Sequence, residues 1–198
     1  MALSDGSAEI IRPDFAFLRT VERRSGQPVR SCFRCLKCTA GCPLAVEMDY
    51  PPDRMIRMVQ LGLKEKLLRS RGIWLCTSCV ACSDRCPNGI DVAAVVDCLR
   101  QMSLAGGYAA GEPQVAAFHL SFLDVVRRFG RLHEASLIGL LKLRTRDWLG
   151  DLGAGLGLLV RGKIPLLPRR VRGGEQVEKL FRSVPRRNPE PSDKGGTG

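Results

Sequence analysis

The run Cys32-x2-Cys35-x2-Cys38-x3-Cys42-Pro43 constrains this chain more than any other feature, because it occurs twice. Cys76-x2-Cys79-x2-Cys82-x3-Cys86-Pro87 repeats it spacing for spacing, and eight of the nine cysteines lie in the two runs. Thiols this close in sequence serve as a disulfide framework or as metal ligands. Stable disulfides need an oxidising compartment. Residues 1–10 carry Asp5 and Glu9 and have neither an apolar segment nor an A-x-A site. No export signal is read there, so a cytoplasmic chain with reduced, metal-binding thiols is expected. The longest uncharged apolar run, Leu152–Val160, is far shorter than a bilayer span. No transmembrane segment is therefore expected.

Three cysteines at intervals of three can wrap one side of an iron–sulfur cube. The intervening N–H groups then point inward and hydrogen-bond to its sulfur atoms. Small or polar residues suit such a loop, and both runs supply them: Thr39-Ala40-Gly41 in the first, Thr77-Ser78 and Ala81 in the second. Zinc sites are built from separated C-x2-C pairs, and four-cysteine runs ending in Cys-Pro fit them poorly. Two 4Fe-4S clusters are expected as cofactors. The same run occurs in bacterial two-cluster ferredoxins, where the fourth cysteine serves the other cluster. That likeness implies crossed ligand sets: Cys32, Cys35, Cys38 and Cys86 for one cluster, and Cys76, Cys79, Cys82 and Cys42 for the other.

The rest of the chain reads as helical. Leu, Ala, Arg and Lys dominate, and aromatic residues make up only 6%. An amphipathic helix is predicted over Pro13–Arg24, with Phe15 and Leu18 inward. Another starts at Tyr50-Pro51-Pro52, carries Met55, Ile56, Val59 and Leu63, and ends near Gly62. Lys64–Ser70 is a short helix with Gly72 as its C′ residue. Asp91 caps a helix to Ala105 with Val92, Val95, Val96, Leu99 and Met102 on one stripe. A cysteine loop, a proline and a helix thus occur twice in order, an internal duplication. After a Gly-rich boundary, Pro113 begins a helix through Val115, Phe118, Phe122, Val125, Val126 and Phe129 that Gly130 stops. Further helices are expected over Leu132–Leu143, Asp151–Arg161 and Glu175–Val184. The fold class is all-α. Its divisions are an N-terminal segment (1–30), an α-helical ferredoxin domain (31–110), a helical docking extension (111–184) and a disordered tail (185–198).

Outside the runs little chemistry is visible. Cys98 lies beside the apolar stripe and reads as a small buried side chain. His119 and His133 stand alone on helices and read as structural or partner-facing. Trp74 reads as core shielding the second loop. There is no Cys-Cys-Gly run, no G-x-G-x-x-G after a strand and no Ser/His/Asp set. The formal charge is +11, and two dianionic clusters would leave about +7. A basic chain suits acidic proteins, anionic lipid or nucleic acid. No recognition motif accompanies the basic run Arg161–Arg172, so nucleic acid is not expected as a partner.

Several stretches together resemble the C subunits of heterodisulfide reductases. They are Ser31-Cys32 through Pro43, RMIRMVQLG at Arg54–Gly62, and Ile73-Trp74-Leu75-Cys76 through Asp91. Beyond Pro113 they continue at Phe122–Gly130, LKLRTRD at Leu141–Asp147 and GKIPLLP at Gly162–Pro168. The resemblance implies an α-helical ferredoxin domain that relays electrons. Its implied partners are a flavin- and iron–sulfur-containing A subunit and a catalytic B subunit with Cys-Cys-Gly motifs, so this chain itself would have no catalytic residues. The cysteine runs alone are shared with iron–sulfur subunits of flavin-linked dehydrogenases, of the glycolate oxidase or succinate dehydrogenase type. Finally, the first run carries Arg34 and Lys37 and the second Asp84 and Arg85, which suggests that the cluster held mainly by Cys32, Cys35 and Cys38 has the higher potential, because nearby cations favour the reduced state.

Overall fold

The computed structural model describes residues 14–108, 111–146, 171 and 173–183. The predicted helix Asp151–Arg161, the apolar run Leu152–Val160, the basic run Arg161–Arg172 and the segment at Pro165 and Pro168 lie outside those residues. So does the predicted tail, 185–198. Among the described residues every regular element is helical, as expected for an all-α chain. The chain divides into two compact units, Met1–Gly111 and Glu112–Gly198.

The first unit opens with α1 (Phe15–Ser25). The Asp14 carboxylate caps it, accepting from the N–H groups of Ala16 at 2.9 Å and Phe17 at 3.3 Å. Phe17, Leu18 and Val21 are buried, whereas Phe15 is 58% exposed. The expectation for Leu18 holds and that for Phe15 does not. Phe15 stands two positions before Phe17, which turns it about 200° round the helix and out of the stripe. A 3-10 turn at Val29–Ser31 follows.

Helix α2 (Lys37–Ala40) lies within the first cysteine run, and α3 (Pro52–Gln60) follows it with Met55, Ile56 and Val59 inward. Gly62 turns left-handed at φ +71°, and a Cβ there would meet the backbone of Asp14. Only glycine allows both the turn and this close approach. Helix α4 (Lys64–Leu68) buries Leu67 and Leu68 completely.

Gly72 does not end α4 but starts α5 (Gly72–Leu75). Its role is packing, since a Cβ would come within 2.6 Å of Met55 Cε and 2.7 Å of the Tyr50 carbonyl. Asp49, in the linker before α3, accepts from the N–H groups of Gly72 at 2.7 Å and Arg71 at 2.9 Å. It thereby satisfies amides that the first turn of α5 leaves free.

Helix α6 (Ala81–Asp84) lies within the second run, and α7 (Val92–Ala105) closes the unit. Asp91 caps α7 through the N–H of Ala94 at 3.0 Å, and the whole predicted stripe is buried, Cys98 with it. Helices α1, α4 and α5 all contact α7, making it the centre of this core. Burying each large apolar side chain there contributes about 1.5–3 kcal/mol.

The second unit holds α8 (Pro113–Phe129), α9 (Glu134–Thr145) and α10 (Gly174–Ser183). Helix α8 contacts both of the others. Gly130 ends α8 at φ +74°, as predicted. His133 caps α9, its Nδ1 accepting from the Ser136 N–H at 3.2 Å. Arg144 ties α9 to α8 by donating to Ser121 Oγ at 3.0 Å and to Asp124 at 2.5 Å. Within α8 the predicted stripe is only partly buried. Val125 is enclosed, but Phe118 and Phe122 remain 43% and 37% exposed.

Candidate iron–sulfur centre

The duplication seen in the cysteine spacing extends to backbone conformation. Arg34 and Leu36 have φ +60° and +64°; Ser78 and Val80, their counterparts in the second run, have +54° and +65°. Thus the residues flanking the middle cysteine of each run are left-handed. None is glycine, and Val80 is β-branched, so each costs free energy that surrounding structure must offset. Backbone alternating in this way turns successive N–H groups into one concavity that suits an anion. The chain therefore accepts strain at equivalent places in both loops, and the resulting shape fits an anionic cluster. Sequence reasoning missed this, because glycine, the usual signal of a left-handed residue, is absent there.

The thiols fall into equivalent environments. The middle cysteines, Cys35 and Cys79, are exposed, while the other six of the runs are half-buried. Burial pushes the thiols of Cys38 and Cys82, the third of each run, above the ordinary range; hydrogen bonds to Thr39 and Ser83 respectively oppose that rise. A thiol held protonated by burial gives up its proton to a metal, so loading is coupled to proton release. Sulfur is also an acceptor here: the Ile90 N–H points to Cys86 Sγ at 3.3 Å.

Each run is tied to the helix that follows it by the hydroxyl next to its third cysteine. Thr39 Oγ1 donates to Asp53 Oδ1 at 2.5 Å and accepts from the Asp53 N–H at 2.9 Å. Ser83 Oγ donates to Asp91 Oδ1 at 2.6 Å and accepts from the Ala93 N–H at 3.3 Å. The hydrogen bond from Ser83, reinforced by that from Ala94, holds the Asp91 carboxyl below the usual carboxylate range.

The two runs face each other through α2 and α6. Gly41 and Arg85 hold equivalent places, each directly before the fourth cysteine. A Cβ on Gly41 would lie 2.5 Å from Arg85 Cδ and 2.7 Å from its Nε, so the glycine makes room for the arginine. One pocket is lined by Cys42 from the first run and Cys76, Cys79 and Cys82 from the second, with Met48, Met55, Val92 and Val96 as apolar walls. On the other side, Asn88 Nδ2, two residues after Cys86, donates to the carbonyl of Ser31, directly before Cys32. Among the described residues no three His, Cys, Asp or Glu side chains are gathered tightly enough for a single metal ion. Trp74 is buried beside the second run, as the sequence suggested.

Residues 28–90 match the family of 4Fe-4S dicluster domains. The iron–sulfur C subunit of the CoB–CoM heterodisulfide reductase of Methanopyrus kandleri is 30% identical over 110 residues, covering 56% of this chain and 54% of that protein. The C subunit of the H(2):CoB-CoM heterodisulfide,ferredoxin reductase of Methanothermobacter thermautotrophicus is 30% identical over 113 residues, covering 56% and 61%. Its counterpart in the ferredoxin:CoB-CoM heterodisulfide reductase of Methanosarcina acetivorans is 38% identical over 76 residues, covering 38% and 30%. The chain spans about half the length of the first two relatives. The aligned share is also smaller than the motifs beyond Pro113 suggest. Residues 28–90 are therefore a dicluster domain for two 4Fe-4S clusters, and the chain is an iron–sulfur protein resembling the C subunits of heterodisulfide reductases.

Proposed function

We propose that this chain is the electron-transfer subunit of a heterodisulfide-reductase-like complex in the cytoplasm. It relays electrons between a flavin- and iron–sulfur-containing A-type subunit and a B-type subunit with Cys-Cys-Gly motifs that reduces a disulfide or oxidises thiols. Each 4Fe-4S cluster, when bound, supplies a one-electron couple. The protein's part is to hold two such couples close together and away from bulk water.

Ligation is crossed: Cys32, Cys35, Cys38 and Cys86 hold one cluster, and Cys76, Cys79, Cys82 and Cys42 the other. The observation that carries this reading is the shared pocket of Cys42 with Cys76, Cys79 and Cys82. Asn88 supports the complementary set by holding the segment after Cys86 against Ser31. Crossing makes each half depend on the other. The exposed Cys35 and Cys79 mark the edges at which a partner's redox centre approaches most closely. Residues 111–184 serve as the docking extension, supported by the apolar side chains that α8 and α9 leave in solvent. Among the described residues no helix is long and apolar enough to cross a membrane.

Anaerobically purified protein should contain about eight iron and eight acid-labile sulfide per chain. A flavoprotein and a Cys-Cys-Gly protein should co-purify with it. Zinc in place of iron would remove the relay altogether. Co-purification with a glycolate- or succinate-oxidising flavoprotein would transfer the relay to a dehydrogenase. Crossing has its own test: Cys42→Ser should perturb the spectrum of the cluster that Cys76→Ser perturbs, rather than that affected by Cys32→Ser.

A further inference from the structure

The duplication relates the cysteine loops by a shift of 44 positions, as Cys32 to Cys76, but the following helices by 40, as Pro52 to Val92 and Val59 to Leu99. With both shifts applied, Gln60 on α3 and Arg100 on α7 occupy equivalent places and do equivalent work. Gln60 Nε2 donates to the carbonyls of Val29 and Cys32, each at 3.1 Å. Arg100 donates to the carbonyls of Ile73, through Nε at 2.5 Å, and of Cys76, through Nη2. Val29 and Ile73 are equivalent, as are Cys32 and Cys76. Both side chains therefore clamp the turn that leads into a cluster loop. One clamp is neutral and the other carries a full charge.

Arg100 is only 7% exposed. Its remaining partner is Ser78 Oγ at 3.5 Å, so all of its partners are neutral oxygens. Ser78 is itself one of the left-handed residues of the second loop. A buried guanidinium without a carboxylate is costly unless an anion lies near. The anion this position suits is the cluster with its four thiolates. On the reading proposed above, we infer that Arg100 is the counter-charge of the cluster held by Cys76, Cys79, Cys82 and Cys42. It makes that cluster the higher-potential one of the pair.

The physical argument is one of charge. Reduction adds one electron and one negative charge to a cluster, and a fixed cation beside it favours that state. Arg34 and Lys37 of the first run are exposed, so solvent and salt screen them. Arg100 is shielded from both. Arg85 lies over Gly41, between the two runs, and acts on both clusters. Among the carboxylates, Asp53, beside the first run, is 8% exposed, whereas Asp91, beside the second, is less buried and Asp84, within the second run, is exposed and screened by solvent. An electron entering the pair therefore settles on the second-loop cluster, the reverse of the order that Arg34 and Lys37 suggest from sequence.

The test is a potentiometric titration of the full chain, followed by electron paramagnetic resonance, on protein first shown to carry its full iron and sulfide. Arg100→Gln copies the clamp of the first half. It should lower the higher couple so that its reduced-to-oxidised ratio at a set potential falls about tenfold, ~59 mV for one electron, and leave the lower couple in place. Arg100→Lys, which keeps the charge, should retain most of the wild-type potential. Gln60→Arg should raise the lower couple and narrow the gap; it covers the case in which Arg100→Gln fails to fold. Fully loaded variants with unmoved couples, or a lower couple that responds to Arg100→Gln, would overturn the inference. A wild-type chain without iron would bring down the cluster reading and this one with it.

Discussion

Both compact units leave some large apolar side chains exposed, Phe15, Phe33 and Val46 in the first among them, but among the described residues only the first also encloses a set of them completely. In the first, Val21, Val29, Val59, Leu67, Leu68, Ile73, Val95 and Leu99 have no exposed surface at all. In the second, Phe118, Phe122, Leu123, Ile138, Leu143 and Leu180 keep more than a third of theirs. Hydrophobic patterning was as strong in α8 as in α7, so the pattern alone does not say what will cover a face. The first unit must be rigid to hold two cysteine loops in register. On the docking role proposed above, the second would present its exposed apolar side chains to a partner.

Four experiments would break or sharpen this contrast. The largest effect should come from Leu99→Ala, at the centre of the first core. It should lower stability by about 2–5 kcal/mol in chemical denaturation, with loss of bound iron. Phe122→Ser, in the second unit, should change stability by less than about 1 kcal/mol yet weaken recovery of partner subunits on an affinity column. Equal destabilisation by the two substitutions would end the distinction between core and docking face.

Gly41→Ala puts a methyl group against the flexible end of Arg85, an exposed side chain that can swing aside, and should cost less than about 1 kcal/mol. Arg85→Ala in the same chain should restore most of that loss. A double-mutant cycle with no coupling would mean that the two runs do not press on each other there.

Removing the tie between loop and helix should cost more than that methyl group does. Ser83→Ala and Thr39→Val should each lower stability by about 1–2 kcal/mol, because each leaves a carboxylate short of a donor. Denaturation curves of the two variants, compared side by side, would show whether the halves bear this equally.

The smallest effect concerns acid. The Asp91 carboxyl is held below its ordinary value of 3.8 by hydrogen bonds from Ser83 and Ala94. Its contribution to stability is therefore fully present above that value and is lost as the pH falls through the lowered folded value. The stability gap between wild type and Asp91→Asn should stay constant from pH 7 to pH 5. A gap that already closes within this range would contradict the assignment.

Much of this fold was legible in the sequence, for identifiable reasons. Pro113, Gly130 and Asp91 are local signals, and the helices begin or end where they stand. The cysteine spacing carried the site. Gly72 was misread because a glycine after a helix resembles a C-terminal cap, while its true constraint, the approach of Met55 and Tyr50, is non-local. Phe15 was misplaced because its neighbour Phe17 fits the stripe better. Gln60 and Arg100 were invisible for a different reason: their equivalence emerges only when the shift between the halves drops from 44 to 40. That change falls in the linker carrying Asp49, whose carboxylate reaches the first turn of α5.

The fit of Arg85 over Gly41 means that the halves are no longer interchangeable parts. A chain assembled from two first halves would place glycine against glycine and leave a gap between the runs. One made from two second halves would force arginine against arginine. A scheme that builds a symmetric dicluster protein by repeating one half would change this packing, and a half-length chain pairing with a copy of itself would do the same.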